Sequence, residues 1–201
     1  MRGRPKTFDR DEALERALEV FWQKGYAATA IGDLTSAMRI GRQSLYDTFG
    51  DKHELYLEAL ARYKEMRIRT TRDMLEAPGS PLANLRAFFA MWREEATEAT
   101  SGCMMVNSST EVGAVDDAAA RIIEKALARL EELMREALER ARDAGELSEL
   151  ASPRALARLI VTSANGIAAR SRLGMTVEEV DDVIETLTAV VTGASQAAVA
   201  R

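Results

Sequence analysis

Cysteine and histidine are each present once in this 201-residue sequence, as Cys103 and His53. A single cysteine excludes an intrachain disulfide and fits a reducing cytoplasm. A Ser-His-Asp triad would have to use His53, and the sequence has no HExxH, CxxC or glycine-rich phosphate loop. We therefore expect a protein that is not an enzyme and that carries no metal and no cofactor.

Proline and glycine are scarce as well, with 4 and 12 residues, and they lie at the ends of helix-like segments. No alternating strand pattern is visible, and the 47% of hydrophobic residues permits a sizeable core. The longest apolar runs are too short to span a bilayer, and no secretory signal opens the chain. The sequence predicts an all-α cytoplasmic protein with about nine helices.

A positive net charge, which is common in proteins that bind nucleic acids, is also absent, since the net charge is −5. The charges are unevenly distributed, however. Residues 1–52 hold nine Lys or Arg against eight Asp or Glu, so this segment is about +1 and the remainder about −6. A local basic footprint on an acidic body is compatible with duplex binding.

Residues 29–49 have the pattern of two short helices joined by a tight turn. Leu34 and Met38 share one face of the first helix, and Leu45 and Phe49 share the buried side of the second. A short helix with an apolar back and a polar front is suited to insertion into a DNA major groove. The polar front of the second helix consists of Arg42, Gln43, Ser44, Tyr46 and Asp47.

The run SLYDTFGDKHELY, preceded by FDRDEALERALEVFWQKGYAATAIGDL, resembles the N-terminal DNA-binding domain of TetR-type transcriptional regulators. The resemblance covers residues 6–66 and implies a three-helix helix-turn-helix head. It also implies a helical body for ligand binding and dimerisation, which we place at residues 81–199, after the EAPGSP break. The sequence departs from the family at Arg39, where a turn glycine is usual, and at Gly41, where Ser or Asn commonly caps the next helix.

Several residues of the head are predicted to contact DNA. Gln43 suits adenine, and Arg42 suits guanine or a phosphate. We expect Thr29 to cap the first helix of the motif and to face a phosphate. The resemblance implies that Tyr46 and Lys52 anchor phosphates, and the arm at residues 1–7 either frays or reaches the DNA. The predicted DNA-binding set is Arg4, Lys6, Thr29, Arg42, Gln43, Ser44, Tyr46 and Lys52.

The body is rich in aromatic and methionine side chains, which predicts a pocket for a small-molecule effector between its helices. Its run GCMMVN resembles a Gly-Cys-x-x-x-Asn stretch found in one branch of TetR-type regulators. Cys103 in this run either senses oxidants or electrophiles, or is a small buried residue at a helix start. The effector-binding candidates are Phe88, Met91, Trp92, Cys103, Met105, Asn107 and Asn165.

The last two predicted helices, at about 153–173 and 177–199, carry wide apolar stripes. An antiparallel pair of this kind can form a four-helix bundle with its symmetry mate, and the alternative is that both stripes close the core of the monomer. In a homodimer, two recognition helices would meet major-groove faces about 34–36 Å apart, or a multiple of that distance.

Together, the residues and the resemblance predict a ligand-responsive regulator that binds a palindromic double-stranded operator as a homodimer. A repressor is favoured over an activator. The alternatives are a redox- or electrophile-sensing regulator acting through Cys103, and a helical protein-interaction module that does not bind DNA.

Overall fold

The computed structural model describes residues 8–98, 101–147 and 152–193. Within these ranges the chain forms nine α-helices and no strand, which confirms the predicted all-α fold. None of the described helices is both long and apolar enough to cross a bilayer. The helices are α1 (Arg10–Lys24), α2 (Ile31–Met38), α3 (Arg42–Phe49), α4 (Lys52–Leu75), α5 (Pro81–Glu98), α6 (Met104–Glu111), α7 (Asp117–Asp143), α8 (Pro153–Ser171) and α9 (Val177–Thr192).

Helices α1 to α3 and the first half of α4 form an N-terminal head around an apolar cluster that also includes residues of α6 and α7. The Asp9 carboxylate begins α1 by accepting the backbone N–H groups of Asp11 and Glu12 at 2.8 and 3.0 Å. Gly25 ends α1 with a φ of +81°, a conformation that favours glycine. The buried residues at the centre of the head include Leu14, Leu18, Phe21, Leu34, Met38, Leu45, Phe49 and Leu60.

Helix α4 connects the head to the body. It begins with a capping box, in which the Glu54 N–H donates to Asp51 Oδ1 at 2.8 Å and the Asp51 N–H donates to Glu54 Oε2 at 3.0 Å. Its 24 residues span about 36 Å. Tyr56 near its start packs in the head cluster, whereas Leu75 at its end packs in the body cluster. One continuous helix therefore belongs to both cores.

The body consists of α5 to α9 and is built around the long helix α7, which packs against α4, α5, α6 and α8. Asp116 begins α7 by accepting the N–H groups of Ala118 and Ala119. Helix α8 ends at Ser171, two residues before the predicted end, and α9 extends through Thr192. The predicted continuation of α9 to residue 199 is wrong at Gly193, which ends the helix with a φ of 71°, and residues 194–199 lie outside the described residues.

Candidate nucleic-acid interface and ligand cavity

Helix α3 has the two faces that the sequence predicted. Leu45 and Phe49 are buried in the head, and Arg42, Gln43 and Tyr46 are exposed, with Tyr46 retaining 40% of its accessible surface. Ser44 and Thr48 are half-buried at the boundary between these faces, and Asp47 is exposed beside Gln43. An eight-residue helix that is anchored by two apolar side chains and exposes its polar side can enter a major groove.

The side-chain amide of Gln43 already has a partner in the DNA-free protein. Its Nε2 donates to Asp47 Oδ1 at 2.8 Å, one helical turn further along α3. This hydrogen bond restricts the rotamers of an exposed side chain. To bind the edge of a base, the amide must either break its hydrogen bond to Asp47 or keep it and use its remaining donor and acceptor groups.

The turn between α2 and α3 has an unusual backbone at Arg39. This residue has φ 56° and ψ 39°, which is the left-handed conformation that costs a side-chain-bearing residue about 1–2 kcal/mol. The Arg39 N–H bonds to the Ser36 carbonyl at 3.3 Å, so the turn is tight. Gly41 then begins α3 with no side-chain cap, as the sequence indicated. Arg39 therefore has a positive φ, which glycine favours, at the position where a turn glycine is usual in the family.

The prediction that Thr29 caps α2 is wrong, because Ala30 is the N-cap residue. The Thr29 hydroxyl donates back to the Gly25 carbonyl at 2.6 Å, and the residue is only 1% exposed. The α2 terminus is instead held by Asp33, whose Oδ2 accepts the Ala30 N–H at 2.9 Å. A hydrogen bond from Lys24 and this one from Ala30 lower the pKa of Asp33.

Lys52 lies at the first position of α4, where its ammonium group stands 4.5 Å from the centroid of the Tyr26 ring. Such a cation–π contact orients a lysine without removing its charge. Arg4 and Lys6, which were predicted to contact DNA from the N-terminal arm, lie outside the described residues.

The head is joined to the body by hydrogen bonds that the sequence analysis did not predict. Glu111, the last residue of α6, accepts the backbone N–H groups of Tyr26 and Ala27 at 3.0 and 2.8 Å in the α1–α2 turn. The buried Tyr56 hydroxyl donates to Ser108 Oγ at 2.7 Å. No local pattern could have revealed these pairs, because their members are more than 50 residues apart in the chain.

His53 takes part in the same junction, through a contact that the sequence did not predict. Its Nε2 lies 2.7 Å from Asp116 Oδ2, at the residue that begins α7. Desolvation acts in the opposite direction, but the Ala119 N–H and the His53 ring lower the pKa of Asp116. The pair therefore fixes the start of α4 against the start of α7.

A cavity of ≈ 130 Å³ lies between α4, α5, α6, α7 and α8. Five of the seven predicted effector-binding residues line it: Phe88, Trp92, Cys103, Met105 and Asn165. Met91 does not, and packs beside the body cluster. Asn107 does not either, because its Nδ2 donates to the Ser101 carbonyl at 2.9 Å and so stabilises the turn before α6. Trp22 of α1 also lines the cavity and was not among the predicted effector-binding residues.

Cys103 is the N-cap residue of α6 and is half-buried at the cavity wall. The Tyr63 hydroxyl donates to its Sγ at 3.5 Å. Burial raises the pKa of Tyr63 well above its usual value, with the neighbouring Cys103 acting in the same direction. Tyr63 therefore remains a neutral hydrogen-bond donor to the thiol.

The fold and the exposed face of α3 define a helix-turn-helix protein with a separate helical body that encloses a cavity. Comparisons with known proteins identify its family. Residues 13–59 match the bacterial regulatory proteins of the tetR family, and residues 81–187 match the tetracyclin repressor-like C-terminal domain. The chain therefore belongs to the TetR family of DNA-binding transcriptional repressors, a family without enzymatic activity, as the resemblance predicted.

Individual relatives agree with this assignment. The HTH-type transcriptional regulator YezE of Bacillus subtilis (strain 168) is 39% identical over 148 residues, which cover 73% of this chain and 76% of the relative. The HTH-type transcriptional repressor ComR of Escherichia coli (strain K12) is 28% identical, with 92% of this chain and 90% of ComR covered.

Similar solved structures include complexes with DNA. One of them is a cysteine mutant of the TetR family regulator CifR, complexed with a 26-base-pair double-strand operator. The TM-score is 0.81 at 29% identity, and the match covers 94% of this chain and 100% of CifR. Relatives of this chain thus bind double-stranded operator DNA, and regulators of this family typically act as dimers.

Proposed function

We propose that this protein is a ligand-responsive repressor that acts in the cytoplasm and binds a palindromic operator as a homodimer. The observation that carries the proposal is the exposed polar face of α3, held outward by the buried Leu45 and Phe49. A helical protein-interaction module would not need this face, and family membership favours DNA as its partner.

The contacts with DNA divide into two kinds. Gln43 and Arg42 stand on the exposed side of α3 and are assigned to base edges. Tyr46 and Lys52 are assigned to phosphates, where they would set the register without reading the sequence. Ser44 is half-buried and supports the edge of this surface. Thr29 acts through the shape of the α1–α2 turn, since its hydroxyl is bonded to Gly25.

Dimerisation is assigned to α8 and α9. These helices keep large apolar side chains exposed, with Leu159 and Val190 each 44% exposed. Burying such residues against a second copy removes apolar surface from water. The Leu159→Glu and Val190→Glu variants should sediment as monomers, whereas Val115→Glu, at an 84% exposed valine outside these helices, should leave association unchanged.

The cavity is assigned to the effector. It is bounded by α4, which reaches into the head, and by α6, which is hydrogen-bonded to the head at Glu111. A ligand that binds the DNA-incompetent shape more tightly shifts the protein toward that shape and releases the operator. Switching through oxidation or alkylation of Cys103, as in the branch with a Gly-Cys-x-x-x-Asn stretch, is the second candidate, because the thiol lies at the cavity wall.

Selection of bound sequences from a random duplex pool tests the proposal. A palindrome whose half-site centres are about 34–36 Å apart, or a multiple of that distance, is expected. Recovery of no preferred sequence would contradict DNA reading by α3. A preferred but asymmetric site would contradict the symmetric homodimer while leaving DNA reading intact.

A further inference from the structure

The wall of the cavity includes Trp22, a residue from the first helix of the DNA-binding head. Trp22 lies on α1, whereas the other lining residues belong to α4, α5, α7 and α8 and to the segment from Gly102 to Met105. Its indole Nε1 donates to the Gly102 carbonyl at 2.8 Å, and its ring meets the Tyr63 ring edge-on, with centroids 5.1 Å apart. A molecule in the cavity therefore touches the head directly.

The charged side chains at the cavity already have partners of opposite charge. Arg67 forms a two-pronged pair with Glu95, with Nη2 to Oε2 at 3.0 Å, and Lys64 Nζ lies 2.8 Å from Glu65 Oε1. A charged ligand would have to break one of these pairs or remain unpaired in an apolar site, and both outcomes cost free energy. The arrangement therefore favours an uncharged ligand.

The remaining surface of the cavity is largely apolar, and its size limits the ligand. A dry apolar cavity of about 150 Å³ accepts one benzene molecule, so ≈ 130 Å³ is close to the volume of one aromatic ring. Like the Thr71 hydroxyl, the Asn165 side-chain amide lines the cavity and forms no hydrogen bond with the described part of the chain. It remains available to a ligand as both donor and acceptor. The apolar lining includes Phe88, Trp92, Leu127, Leu130, Met134 and Ile167.

We propose that the effector is an uncharged molecule of about one aromatic ring that bears a single hydroxyl or carbonyl group. It lies against Trp22 of the head and exchanges a hydrogen bond with Asn165. This inference rests on the proposed function, since it takes the cavity to be the effector site.

The two tryptophans of the chain, Trp22 and Trp92, both line the cavity, so intrinsic fluorescence reports on its occupancy. The Trp92→Phe variant makes Trp22 the sole emitter. It is titrated with benzyl alcohol, benzoate and benzylamine, which share one ring and differ in charge. Benzyl alcohol should change Trp22 emission saturably in the millimolar range, and both charged probes should bind at least about tenfold more weakly.

Two further variants assign the binding to the cavity. Asn165→Leu preserves side-chain size and should weaken benzyl alcohol by about tenfold while leaving toluene unchanged. Ala164→Phe fills the cavity from α8 and should abolish the saturable response. Circular dichroism and the melting temperature establish that each variant is folded. A missing fluorescence response in a folded variant then reports the loss of the binding site.

Benzoate or benzylamine binding as tightly as benzyl alcohol overturns the proposal. The proposal is also overturned if Trp22 emission does not change on addition of benzyl alcohol, or if benzyl alcohol shows no saturable binding in the millimolar range. Operator affinity, measured without probes by anisotropy of a labelled duplex, is a separate readout. An absence of operator binding would contradict the regulatory function without affecting the proposed ligand class. The fluorescence outcomes would contradict the ligand class without affecting DNA binding.

Discussion

The carboxylate of Glu111 lies 2.8 Å from the backbone nitrogen of Ala27, 84 residues earlier in the chain. Its second oxygen accepts the Tyr26 N–H, so a residue of the body closes the α1–α2 turn of the head. A Cβ added at Gly25 would lie 2.7 Å from this carboxylate, so glycine serves both the positive φ and the close approach. At its other end α6 begins beside Cys103, at the cavity wall.

Glu111→Ala should therefore lower the free energy of unfolding by about 1–2 kcal/mol, because two turn N–H groups lose a charged acceptor. The amides of Tyr26 and Ala27 should exchange with solvent faster, as measured by hydrogen exchange with NMR detection. Glu124→Ala, at an exposed position of α7, is the matched control and should change stability by less than about 0.5 kcal/mol. Unchanged exchange at Ala27 would show that the hydrogen bond is absent in solution.

The left-handed backbone at Arg39 predicts a stability difference between two variants that both lose the arginine side chain. Arg39→Gly should be more stable than Arg39→Ala by about 1 kcal/mol, since glycine adopts a φ of 56° without the steric cost of a Cβ. Denaturant unfolding of both variants provides the measurement. Equal midpoints would mean that the turn relaxes to another conformation when the arginine is removed.

Gln43→Ala should weaken operator binding by about 1–3 kcal/mol and relax the preference at one base pair, because the amide is assigned to a base edge. Anisotropy titrations against the operator and its single-base variants measure both effects. Gln23→Ala, at an exposed glutamine of α1, controls for the loss of an amide elsewhere in the head. A loss of equal size on random DNA would assign Gln43 to the backbone instead.

Lys52→Ala should weaken binding to all duplexes alike, because an ammonium group on a phosphate carries no sequence information. The slope of log K against log salt should become shallower by about one unit. Lys125→Ala, at an exposed lysine of the body, should leave the slope unchanged. If Lys52→Ala also leaves it unchanged, Lys52 does not contact a phosphate, and its contact with the Tyr26 ring is structural.

Burial raises the pKa of Tyr56 to about 12, although its hydrogen bond to Ser108 acts in the opposite direction. An unfolded tyrosine ionises near pH 10, so the unfolded state releases its proton first as the pH rises. The contribution of Tyr56 to the free energy of unfolding is thus fully present below pH 10. It decreases by about 1.4 kcal/mol per pH unit between pH 10 and about pH 12.

Tyr56→Phe should be less stable than the parent by about 1–3 kcal/mol at neutral pH, because the buried Ser108 loses its partner. This difference should narrow between pH 10 and about 12, as followed by urea unfolding at each pH. A difference that stays constant over this range would mean that Tyr56 ionises at its usual pKa in the folded protein.

The sequence alone determined the faces of the helices and most of their ends. The helical period of 3.6 residues places Leu45 and Phe49 on the buried side of α3, and Gln43 and Tyr46 on its exposed side. The Asp51–Glu54 capping box follows from the spacing of three residues between its members. These features depend on neighbours within about one helical turn. Thr29 was assigned wrongly because a threonine hydroxyl can either cap the helix that follows or donate to a preceding carbonyl. The path of the α1–α2 turn selects the second choice, the Gly25 carbonyl.

Only the tertiary structure decided which residues of the head and body meet. Trp22 reaches Gly102, Glu111 reaches Ala27 and His53 reaches Asp116 across separations of 80, 84 and 63 residues. The cavity likewise requires the packing of α4 against α7, with α6 in contact with both. The physical reason is that such contacts depend on how whole helices pack. Hydrophobic periodicity indicates that one face of a helix is buried, but it does not indicate which other helix covers that face.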